Sequence, residues 1–151
     1  MVNPTTFLRR SPLSRRLQAE GAIWRDLGDV AIALARRMPQ PLGQVCGPIS
    51  SGGCGSIEEN LKRFEHVIYQ LTMQGKNMFN QVPFEQPMRR LMKDRNAPYQ
   101  LLNGFYLPLF QSGLIRTMYF LHDWQTSHGA RWEHDRAEEL HIERVYLAQE
   151  L

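Results

Sequence analysis

The chain carries a glutamate where an apolar residue belongs. Ala130, Glu133, Ala137 and Leu140 recur at spacings of three, four and three, which places them on one stripe of a helix. The other three are small or apolar, so the stripe is predicted to face a sheet. A carboxylate on it is partly desolvated, and it must raise its pKa or take a partner. That makes Glu133 a candidate site residue. Ser127 stands six residues earlier and is a good N-cap for the same helix. A helix start of this kind also suits an anion.

A second stretch has chemistry of its own. Residues 47–56 hold four glycines and three serines. Such a loop is rich in donors, and its backbone can approach an anion closely. It lacks the Gly-Lys-Ser/Thr ending of a P-loop and the usual G-x-G-x-x-G spacing. A glycine-rich surface turn without ligand stays open as the alternative. His122, Asp123, His128, Glu133 and His134 lie close in sequence, but their spacing fits no standard zinc motif. No metal or cofactor is expected. Cys46 reads as a buried thiol at a strand end, and Cys46 with Cys54 makes no disulfide framework. A reducing cytoplasm is the default for such a chain.

These residues need elements to hold them. Residues 1–13 form an irregular lead-in. Residues 14–37 show helical periodicity in Leu17, Trp24, Leu27, Ala31 and Leu34, and Pro39 and Pro41 end the helix. Gln44, Val45 and Cys46 form a short strand running into the Gly/Ser loop. Ser56 followed by Glu59 is a capping box for a helix through Leu61, Phe64, Val67, Ile68 and Leu71, with Gly75 as its C-cap. Residues 77–82 are predicted as a second strand ended by Pro83, with Gln81, Phe84 and Glu85 near its carboxyl end. Residues 86–96 read as a charged connector. Residues 98–116 are predicted as a helix kinked or restarted at Pro108. Residues 117–121 are a third, buried strand, 127–140 the helix carrying Glu133, and 144–147 a fourth strand. Alternating helices and strands imply a parallel sheet with helices on both faces. Ligands of such sheets bind outside the carboxyl ends of the strands.

The charge is uneven. Residues 1–40 hold seven arginines against three acids, while the remainder is close to neutral. The basic balance therefore comes from an N-terminal arm. Nucleic-acid binding through it is one reading; a solvated helix face is the favoured one. At 151 residues one domain is expected, divided into an arm and amphipathic helix (1–43) and an α/β domain (44–151). No apolar run reaches the roughly 18–20 residues of a membrane span.

Two stretches together resemble a known family. The run Cys46-Gly47-Pro48-Ile49-Ser50-Ser51-Gly52-Gly53 is similar to the first-strand loop of the nucleoside 2-deoxyribosyltransferase-like superfamily. It is nearest the 2'-deoxynucleoside 5'-phosphate N-hydrolase branch. Trp124, Ser127, Gly129, Ala130, Arg131, Glu133 and Ala137 resemble the later motif of the same superfamily, and Asn60, Phe64, Gly75, Asn80 and Pro83 fit between them. The resemblance covers residues 44–147. It implies a flavodoxin-like or Rossmann-like three-layer fold, with the N-terminal helix as an addition.

It also implies roles. Glu133 matches the nucleophile that attacks the anomeric carbon and forms a covalent glycosyl ester. Ser127 matches the phosphate-using branch, because an aspartate at that place would repel a phosphate. Gly47, Ile49, Ser50, Ser51, Gly52, Gly53 and Gly129 complete the expected phosphate site. Gln81, Phe84, Asp123 and Trp124 are expected near base or sugar, with Trp124 or Phe84 stacking on the base. Residues 98–116 contain no acid where family members often carry an aspartate; Asp94 and Asp123 are the nearest substitutes. The expected activity is hydrolysis of a (deoxy)nucleoside 5'-monophosphate to free base and sugar phosphate. Base exchange between nucleosides and a non-catalytic nucleotide-binding module are the alternatives. The family implies a homodimer or larger assembly, with the 14–37 helix packing on the domain or on a partner subunit.

Overall fold

A computed structural model of the protein describes residues 22–50, 52–91 and 97–149. Ser51, Asp94, Leu17 and the lead-in lie outside the described residues. In chain order the elements are α1 (Ala22–Arg36), β1 (Leu42–Cys46), α2 (Ile57–Met73), α3 (Val82–Leu91) and α4 (Ala97–Gln100). A π-helical segment (Leu101–Tyr106), α5 (Leu107–Gln111) and β2 (Ile115–Phe120) follow. A 3-10 turn (Trp124–Thr126), α6 (His128–Glu139) and β3 (Glu143–Tyr146) complete it. The chain forms two compact units: Met1–Met38 with Pro83–Leu114, and Pro39–Val82 with Ile115–Leu151.

The second unit is an α/β sandwich built on a parallel sheet of order β1-β2-β3. Val45 pairs with Tyr119, and Tyr119 with Val145. These residues share a sheet face and pack with Leu61, Phe64, Val67, Ile68 and Leu71 of α2. Side chains alternate along a strand, so Gln44 and Cys46 point to the opposite face. There Gln44 meets Glu133 of α6. All five residues of β1 are buried, as expected of a strand covered on both faces.

The second predicted strand shrinks to one parallel bridge, Gly43 to Met78, held by Gly43 N–H to Asn77 O and Phe79 N–H to Gly43 O, both 2.8 Å. Pairing stops because side chains take over from backbone. Gln81 donates through Nε2 to Val45 O at 2.7 Å, and Asn80 Oδ1 accepts from Val82 N–H at 3.0 Å. Pro83 has no N–H to give to a ladder but suits the first turn of a helix, so α3 begins here and runs through part of the predicted connector.

The described part of the first unit is helical. Trp24, Leu27, Ala31 and Ala35 of α1 are buried, so this apolar stripe is covered within the chain. Gly28 and Gly104 allow the close approach: a Cβ on Gly104 would lie 2.9 Å from Trp24 Cβ, and one on Gly28 would lie 3.3 Å from Gly104 O. The irregularity predicted at Pro108 sits earlier, as the wide turn of the π-helical segment, and Pro108 falls in the first turn of α5. Gly113, with φ of 80°, turns the chain so that β2 starts at Ile115. Glu85 is buried in this unit, with Tyr106 Oη donating to its Oε1 at 2.6 Å and Arg89 Nη2 3.0 Å from Oε2. Burial pushes its carboxyl up, while Arg89 and Tyr106 pull it back.

Candidate functional site

Glu133 lies on the face of α6 turned to the sheet, buried with Ala130 and Ala137. Gln44 on β1 donates through Nε2 to Glu133 Oε2 at 3.1 Å. Cys46, two residues along the same face, has its thiol beside the carboxylate. Burial pushes the Cys46 thiol well above its ordinary range, and the charge and hydrogen bond of Glu133 add to the rise. The thiol therefore keeps its proton, and its Sγ lies 4.0 Å from the Gln44 carbonyl oxygen, to which it donates weakly. The Gln44 amide thus fixes the orientation of the Glu133 carboxylate.

The Gly/Ser loop and the start of α6 come together. Gly52, with φ of +68°, sits so that a Cβ there would lie 3.1 Å from Thr126 Oγ1, next to Ser127. Ser127 caps α6, its Oγ accepting from Ala130 N–H at 3.2 Å. Its own O–H remains able to donate, since a hydroxyl does both. Asn60 of α2 holds the loop in shape. Its Nδ2 donates to Ile49 O at 2.9 Å and to Gly52 O at 3.2 Å, and its Oδ1 accepts from Cys54 N–H at 2.7 Å. Ser50 and Gly53 are exposed on this loop, whereas Ile49 packs its side chain on the α2 core. Gly47 is buried, with Leu121 filling the space of a Cβ. Gly129 lies half-buried in the first turn of α6.

Other expected site residues have structural partners. Asp123 forms a two-pronged ion pair with Arg63, Nη1 to Oδ2 at 3.1 Å and Nη2 to Oδ1 at 3.0 Å. Gln81 spends its amide nitrogen on the Val45 carbonyl. Phe84 belongs to the helical unit, buried with its ring 5.4 Å from that of Phe105. Trp124 stacks on His134 at 4.2 Å and 17° and lines a shallow groove with His128, Arg131, Trp132 and Asp135 on α6. Glu133 is not among that groove's residues. Phe120 and Tyr146 extend the aromatic cluster, and His134 Nε2 lies 2.6 Å from Tyr146 Oη.

The residues missed in the sequence are Gln44 and Cys46 as partners of Glu133. The sequence carried half of the signal: a glutamine inside a short, otherwise buried strand must find a polar partner, but nothing local says which one. Among the described residues no group of His, Cys, Asp or Glu could hold a metal ion, and no helix is long and apolar enough to cross a membrane. Comparison of the chain with family models, curated proteins and solved structures found no match.

Proposed function

We propose that the protein hydrolyses the N-glycosidic bond of a nucleoside 5'-monophosphate, and that its α/β unit is a diverged nucleoside 2-deoxyribosyltransferase-like domain of flavodoxin-like order. The observation that carries the reading is Glu133. It is buried, turned to the sheet and held by Gln44, on the helix whose capped start meets the Gly/Ser loop. Counting the Met78 bridge as a second strand position, the sheet runs 2-1-3-4 in chain order, the order of flavodoxin-like sheets. The phosphate is assigned to the Ser127 O–H, the first N–H groups of α6 and the exposed loop backbone. Ser127 and Glu133 are about 9 Å apart along the helix axis, a span suited to a ribose 5-phosphate with a contact at each end.

In the first step a Glu133 oxygen bonds to C1' as the C1'–N bond breaks and its electron pair leaves with the base, which takes a proton from solvent. Water then bonds to C1', the ester C1'–O bond breaks, and the carboxylate is regenerated. The sum is nucleotide plus water giving base plus sugar phosphate, and it needs no cofactor. Two free cysteines fit a reducing compartment such as the cytoplasm. The test is incubation with a panel of nucleoside monophosphates, with free base measured by chromatography and no acceptor base added. Base release is expected for the wild type. Glu133→Gln is expected to lose about 10⁴-fold in rate, as removal of a nucleophile does. No release from any member, or full activity in Glu133→Gln, sinks the proposal.

A further inference from the structure

Glu133 uses only one end of the Gln44 amide. Nε2 donates to the carboxylate, while among the described residues the buried Oε1 has no hydrogen-bond partner. Gln44 is 0% exposed. The orientation follows from chemistry: an ionised carboxylate only accepts, so it must face the NH₂ end. A strong acceptor is thus left desolvated beside the nucleophile, an arrangement that favours a ligand bringing a donor.

The reaction geometry says where that donor is. A carboxylate attacking C1' approaches from the sugar face opposite the base. In a ribonucleotide the 2'-hydroxyl lies on that same face, on the neighbouring carbon. Within one amide, the Oε1 atom is about 2.3 Å from the Nε2 that holds Glu133. A 2'-O–H next to the attacked carbon is therefore in reach of it. Resting on the N-glycosidase reading of Glu133, we propose that the substrate is a ribonucleoside 5'-monophosphate, whose 2'-hydroxyl donates to Gln44 Oε1. Gln44 is then both the positioning residue of the nucleophile and the residue that selects the sugar. The proton is shared and not transferred, so the balance of the reaction is unchanged.

The preference runs against intrinsic reactivity. A 2'-hydroxyl withdraws electrons from the oxocarbenium-like transition state, so deoxynucleotides are the more labile. The experiment compares kcat/KM for three monophosphates of one base: the ribo form, the 2'-deoxy form and the arabino form, whose 2'-hydroxyl lies on the other face. The ribo form is expected to exceed both by about 100-fold or more, as a site built to bond a hydroxyl rejects analogues lacking it. Gln44→Met removes the acceptor and is expected to lower the ribo rate towards the deoxy rate. A merely structural role would lower both equally and leave their ratio unchanged. Deoxy turnover equal to or above ribo turnover in the wild type overturns the sugar assignment and leaves the N-glycosidase reading standing. An absence of base release from all three overturns both. The wild-type comparison needs no variant to fold.

Discussion

Arg63 on α2 grips Asp123, in the loop after β2, with both guanidinium prongs, and each side chain is only 19% exposed. Asp123 is thus engaged before any substrate arrives. Removing one partner strands the other in a half-buried place, so Asp123→Ala and Arg63→Ala are each expected to cost about 1–3 kcal/mol. The double variant is expected to lose little more than either single one, as coupled residues do. Denaturant unfolding of the four proteins checks this. If Asp123→Ala lowers base release far more than Arg63→Ala does, Asp123 touches substrate as well.

Asn60 anchors the Gly/Ser loop, 1% exposed and bonded to three backbone groups between residues 49 and 54. Asn60→Ala is expected to lose about 2–3 kcal/mol, because buried backbone groups lose their partners. Asn60→Asp is expected to behave no better, since its second oxygen would face the Ile49 and Gly52 carbonyls. Unfolding curves report the loss. A neutral result would mean that water or a rearranged loop replaces these bonds.

The legibility of the sequence varied with how local the signal was. The α6 stripe, the Ser56 and Ser127 caps and the β1 and β2 strands follow from composition, periodicity and capping chemistry, and each is present, although Arg116 and Thr117 leave the start of β2 open to solvent. What failed was competition between side chain and backbone. Residues 77–82 carry strand-like composition, yet Gln81 and Asn80 make with their side chains the bonds a strand would make with its backbone. In the π-helical segment Gly104 lies against Trp24, some eighty residues earlier in the chain, a contact that no local pattern encodes. In the site, Glu133 was legible because it broke a stripe. Its partners were not, since Gln44 and Cys46 reach it only once β1 and α6 are packed.

His134 gives a pH dependence. Its Nε2 lies 2.6 Å from Tyr146 Oη and 3.5 Å from Arg144 Nη1. The Arg144 group donates only, and a neutral Nε2 can accept from the Tyr146 hydroxyl as well, which favours the tautomer with its proton on Nδ1. Burial and Arg144 lower the His134 pKa from the ordinary 6.5, with Asp135 and Glu138 opposing. A depressed histidine pKa means that the unfolded chain binds the proton more readily. The stability it contributes is present above the ordinary value and is lost as pH falls through the folded one. Thermal melts are expected to drop on acidification below about pH 6.5, and His134→Gln is expected to flatten that part of the curve. An unchanged slope in His134→Gln would assign the acid sensitivity elsewhere.

Cys46 and Cys54 are expected to react differently. Cys46 is buried and its thiol is pushed well up, whereas Cys54 is exposed. The thiolate is the reacting form, so iodoacetamide on the native protein at neutral pH is expected to label Cys54 alone, and both residues after unfolding. Part of the rise at Cys46 comes from the Glu133 charge. Glu133→Gln removes that charge and moves the thiol back towards its ordinary value. Burial, the larger cause, remains, so Cys46 in Glu133→Gln is expected to stay protected at neutral pH. It should become labelled at a lower alkaline pH than in the wild type. Peptide mass mapping after timed alkylation across the alkaline range reads both effects. Rapid native labelling of Cys46 would show that the face of β1 opposite α2 opens to solvent, and the Glu133 carboxylate would then not be the dry, donor-held group on which the chemistry relies.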